Sequence, residues 1–156
     1  MLKAFLLLLA LAAVMGGIGL WYFVSSGVSA KEQPGAVEEF LATRVRNMAI
    51  ARRAKSLTNP VEYSGEVIAE GRAHFADHCA TCHANDGSGN TEMGRGMWPK
   101  VPDMRLAKTQ DLSDGDLFWI IENGVRFTGM PAWSTGTKEG ETASWHLVHF
   151  VRRLPR

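Results

Sequence analysis

Cysteine is almost missing from this chain: 156 residues hold two. Zinc of the finger type is excluded, because neither a second C-x-x-C nor a histidine pair at finger spacing accompanies them. A disulfide between the two would close a very short loop and gain little chain entropy. No basic stripe interleaved with aromatics is present, which removes nucleic acid as a partner. Internal repeats are absent, as are any convincing strand, a second cofactor motif and a further acid/base constellation. Those absences argue against an enzyme and against an α/β domain, and they throw the weight onto a few local features.

Charge is missing where a bilayer would exclude it. From Ala4 to Val24 the run AFLLLLALAAVMGGIGLWYFV has no charged residue, and as a helix it extends about 31 Å, the thickness of a hydrocarbon core. Trp21, Tyr22 and Phe23 stand where an interfacial aromatic belt anchors a spanning helix. The competing reading is a cleaved signal, with Val28-Ser29-Ala30 offering small residues ahead of Lys31. The run exceeds the roughly 7 to 15 apolar residues of a signal core, so residues 1–30 are read as a retained anchor. Orientation by charge is awkward, since Arg44, Arg46, Arg52, Arg53 and Lys55 all follow the run. Export of the remainder therefore rests on the signal-like start and on the cysteine cluster.

The total charge of +1 hides an asymmetry. Residues 31–60 carry six basic and three acidic side chains, net +3, and residues 61–156 carry ten and thirteen, net −3. Residues 31–60 read as a stem. A helix is predicted from about Ala36 to Ser56, with Val37, Phe40, Leu41, Val45, Met48 and Ile50 mostly at helical spacing, and Asn59-Pro60 ends it. The remaining 96 or so residues, from about Val61, form the globular domain, which is small enough that a bound cofactor would help it stay folded. Its first helix is predicted from Ser64 to about Asp77. Ala84 to Gln110, rich in glycine and holding Pro99 and Pro102, reads as irregular. A second helix starts at a Ser113 cap with Asp116 three positions on and stops at Asn123-Gly124, and a last one runs from Thr142 to Leu154.

The chemistry sits in HCATCHA, where Cys79, Cys82 and His83 form C-x-x-C-H. This is the attachment signature of c-type haem: two sulfurs at this spacing reach two vinyl groups on one porphyrin edge, and the adjacent imidazole falls under the iron. A thioredoxin-type dithiol shares the spacing but belongs to an α/β junction that this sequence does not offer. Haem with one histidine ligand leaves a sixth position to assign. Met93, Met97, Met104 and Met130 follow the motif, and Met130 is favoured because GVRFTGMPAW holds it between Gly129 and Pro131 in a turn after a helix. The imidazoles His74, His78, His146 and His149 lie on helix flanks, where an ordinary histidine is the simpler reading.

With C-A-T-C-H, the Gly71 and Phe75 of the first helix, the P-D-M loop with Pro102, the N-G-V-R-F-T-G-M-P-A-W loop and Phe150 in the last helix, the domain resembles the class I c-type cytochromes. The whole chain is similar to membrane-anchored bacterial monohaem members of that group. The resemblance implies an all-α fold wrapped round one covalent haem c, with iron held by His83 and Met130 and thioethers at Cys79 and Cys82. It also implies that Gly71 and Phe75 meet the last helix near Phe150, and that a prolyl carbonyl, from Pro102 or Pro99, accepts the other ring N–H of His83. Both axial positions being filled, one-electron transfer is the expected task. The first reading is a tethered carrier between redox proteins, such as a membrane reductase and a terminal oxidase or periplasmic enzyme. A haem subunit of a larger oxidase or dehydrogenase complex is the second, and a haem enzyme or sensor the third. The expected setting is the bacterial inner membrane, single-pass, with the haem domain on the periplasmic side, or the soluble periplasm if cleavage follows Ala30.

Overall fold

A computed structural model describes residues 2–25 and 32–155. The cleavage point considered at Ala30 lies outside the described residues. Among these the chain is helical, with no strand, and it divides into two compact units, Met1–Ala30 and Lys31–Arg156. The first unit is α1, Leu2–Ser25, whose 24 residues are all unburied and whose length and apolar composition suffice to cross a membrane.

The second unit is organised by two helices far apart in sequence. Helix α3 (Gly65–His74) packs on α8 (Lys138–Val151), the last helix. A Cβ on Gly71 would collide with the His146 carbonyl and come within 3.1 Å of the Phe150 Cβ, so only glycine lets the backbones approach this closely. Phe75 is buried one turn on, its ring centroid 5.1 Å from that of Phe150. Gly71→Ala is therefore expected to cost about 3 kcal/mol, at the upper end for overpacking because the obstacle is backbone. Thermal unfolding followed by far-ultraviolet circular dichroism would measure it, and an unchanged midpoint would deny the close crossing.

Sequence logic sets the helix ends. The Ser64 hydroxyl accepts from Val67 N and starts α3. Ser113 and Asp116 exchange side-chain and backbone bonds in a full capping box that opens α7 (Asp114–Asn123), and Gly124 (φ 65°) closes it. Helix α8 begins ahead of the predicted Thr142, because the Thr137 hydroxyl accepts from Gly140 N and Glu139 and Glu141 occupy the first turn, where the helix dipole favours acids. It supplies most of the core: Trp145, Leu147, Val148, Phe150 and Val151. Trp145 stacks on Phe118 of α7 at 3.9 Å between centroids, and the buried Ser144 donates to the buried Glu122 at 2.6 Å, tying α7 to α8.

One expectation changes. The stretch read as irregular holds two short helices, α5 (Glu92–Gly96) and α6 (Ala107–Gln110). Thr91 caps α5 by accepting from Gly94 N, a local bond that outweighs the glycines. The stem helix α2 (Ala36–Ala54) buries one side: Ile50 and Ala54 are covered, and the chain here lies against Gly115 at the start of α7, where a Cβ would strike the Leu57 and Ala54 carbonyls.

Candidate functional site

The C-x-x-C-H motif lies on helical backbone of uneven pitch. After α3 the chain widens into one π-turn, Phe75–Cys79, and then tightens into α4 (Ala80–His83). This irregularity, of a kind that recurs at functional sites, lets Phe75 stay in the core while the cysteines remain half-buried. Ala84 turns the chain away at φ 60°, the left-handed region.

His83 is 8% exposed. Burial pulls its pKa down to about 4, and the Pro102 carbonyl beside it works weakly in the opposite direction. That carbonyl is close enough to be felt, yet Nδ1 has no partner in hydrogen-bonding geometry, alone among the buried side-chain nitrogens and oxygens of the described residues. A buried polar atom left this way normally costs free energy. Pro102 is the proline whose carbonyl the ring feels.

Cys79 has a different character from a reactive thiol. Burial, reinforced by Cys82, pushes Cys79 up to about 11, so it stays a neutral thiol at physiological pH, opposite to the lowered value of a redox-active cysteine. Cys82 Sγ lies 3.4 Å from Met93 Sδ. Gly94 is packed so closely on the Cys82 and Gly89 carbonyls that a Cβ would overlap both.

The Met130 turn is built as the sequence suggests. A Cβ on Gly124 would lie 2.6 Å from the Met130 carbonyl, and Val125 N donates to that same carbonyl at 3.0 Å. Inside the turn the Thr128 hydroxyl donates to Val125 O at 2.7 Å and accepts from Met130 N at 3.1 Å. Trp133 N donates to Ile121 O at 3.0 Å. The turn meets the rest of the site at two points: the Trp133 ring is 5.5 Å from that of His78 in the π-turn, and the Met97 thioether lies against Gly129.

The other sulfurs and imidazoles have separate surroundings. Met104 packs on the core, and Met93 is half-exposed beside Cys82. His146 pairs with Glu70 at 2.8 Å, and His149 Nε2 is 2.9 Å from Val61 O. His74 and His78 stand 5.0 Å apart, ring to ring, and His74 is lowered by burial first and by His78 second. Sequence reasoning missed the Met97 contact with Gly129, for which the sequence carries no signal.

An all-helical domain with a C-x-x-C-H turn, a buried histidine and two half-buried cysteines beside it fits a covalently held haem, and defines a c-type cytochrome. Residues 66–151 match the family described as cytochrome C oxidase, cbb3-type, subunit III, and the chain belongs to that family. A curated relative, the Cbb3-type cytochrome c oxidase subunit CcoP of Cereibacter sphaeroides, is 32% identical over 85 residues, which cover 53% of this chain and 27% of the relative. The chain thus spans about a quarter of that protein's length. It is a membrane-anchored electron-transfer protein with covalently bound haem c.

Because burial disfavours the charged imidazole, His83 in the haem-free protein should stay neutral down to about pH 4, far below the ordinary histidine range. The lowered pKa means that protons bind the ring only as the pH falls towards that value. An NMR titration of its ring protons checks this, and a transition near pH 6.5 would deny that the ring is buried.

Proposed function

We propose that this chain is the haem c subunit through which electrons enter or cross a membrane-bound terminal oxidase complex, with its haem domain on the periplasmic side. The observation that carries the reading is the buried His83 on a C-x-x-C-H turn within a domain of the oxidase subunit family. Cys79 and Cys82 would hold the group by thioethers, and His83 and Met130 would ligate its iron. When bound, haem c supplies one reversible electron per turnover.

The chain's own residues do the rest. Burial keeps the His83 imidazole neutral and therefore able to bind metal, and the Pro102 carbonyl restrains the ring from behind. Thr128 and Val125 fix the backbone of Met130, so that its thioether is presented the same way in both oxidation states. The aromatic and aliphatic core keeps water from that side of the domain, which disfavours the extra ferric charge. With His83 and Met130 both holding the iron, carbon monoxide added to the reduced haem protein should change its spectrum little.

Purification of the full chain in mild detergent tests the assignment. Co-elution in fixed stoichiometry with an oxidase core subunit supports it. A haem protein that elutes alone while still passing electrons to added redox proteins would favour the tethered carrier.

A further inference from the structure

Helix α2 packs on the domain with one side only. Ile50 and Ala54 are buried on that side, and Glu39 points the same way, 3.9 Å from Lys108. The other side presents Val37, Phe40, Leu41, Val45 and Met48, each more than half exposed. At 3.6 residues per turn these five fall on one continuous stripe.

The same stripe carries Arg44, Arg52 and Lys55, all exposed and none in an ion pair among the described residues. Arg44 lies over the Phe40 ring, 5.4 Å from its centroid. Of the two acids of α2, Glu39 is on the packed side and Glu38 is at the margin, so the exposed face combines apolar bulk with three positive charges. Water is a poor partner for five such side chains together. A second copy is a poor one as well, because two faces of this charge repel.

An anionic lipid surface satisfies both halves of the face, with aliphatic groups sinking among the acyl chains and guanidinium groups meeting phosphates. Only ten residues, 26–35, separate the end of α1 from the start of α2. The chain that carries a helix able to cross a membrane therefore carries this face a few residues further on in sequence. We infer that α2 is an interfacial helix that seats its Val37–Met48 face on anionic phospholipid headgroups. Beyond the electron-transfer role, this gives the haem domain a second membrane contact, one that rests on α1 as anchor and is independent of the haem ligands.

The test uses the full haem-loaded chain in vesicles of phosphatidylcholine and phosphatidylglycerol mixed two to one. Val45→Cys, on the stripe, and Ala42→Cys, on an exposed part of the same helix outside it, are reacted with a charged, membrane-impermeant maleimide, and mass spectrometry assigns the label. Insertion should slow labelling of the Val45 variant about ten-fold relative to the Ala42 variant, and replacing Arg44, Arg52 and Lys55 together by Gln should remove most of that difference. Equal rates at the two positions in these vesicles overturn the inference. So does protection that appears only in native membranes, which means a partner protein covers the face, or protection that grows with protein density and ignores lipid charge, which means a second copy does. Loss of haem ligation in a separate Met130 variant leaves this result untouched.

Discussion

Met130→Ala will remove the weak far-red band that methionine-bound ferric haem shows, and will lower the reduction potential by a sizeable part of the range, roughly 0.8 V in all, over which axial ligands tune haem. Two causes act together. A thioether stabilises the ferrous state, and its loss leaves the position to water or hydroxide, which favours the ferric one. The fold should largely survive, because the turn is held by backbone and by Thr128, with the Met130 side chain only partly buried. Redox titration and the far-red spectrum are the readouts. Persistence of the band would transfer the role to Met97, whose thioether already lies against Gly129, and would sink the Met130 assignment.

Replacing Cys79 and Cys82 together by serine will turn a covalent pigment into an extractable one. With both sulfurs present, acid acetone should leave all the haem on the polypeptide, whereas the double variant should release essentially all of it. Each cysteine is half-buried on a four-residue helix or at its start, and burial holds Cys79 as a neutral thiol. Haem that stays attached to the double serine variant would break the thioether reading. Loss from one single variant and retention in the other would show which sulfur carries the bond.

Much of this molecule was legible in the sequence because the decisive signals are local. A capping box at Ser113, the stop at Asn123-Gly124 and the uncharged run from Ala4 to Val24 act within a turn or two of chain, and the helices follow them. C-x-x-C-H states its chemistry through spacing alone. Less legible was whatever depends on distant partners. The burial of Ile50 and Ala54 comes from α7, about sixty residues on, and a pattern in α2 alone cannot tell a solvated stripe from one awaiting a surface. The short helices α5 and α6 escaped because four or five residues carry too little periodicity, and glycine in the window argued against them. Choosing Pro102 over Pro99 likewise needed the fold, since both lie in one loop and only position relative to His83 separates them.

The crossing of α3 and α8 orders events in the life of the chain. Gly71 seats against His146, so this part of the core cannot close until a segment 75 positions later has been made and delivered.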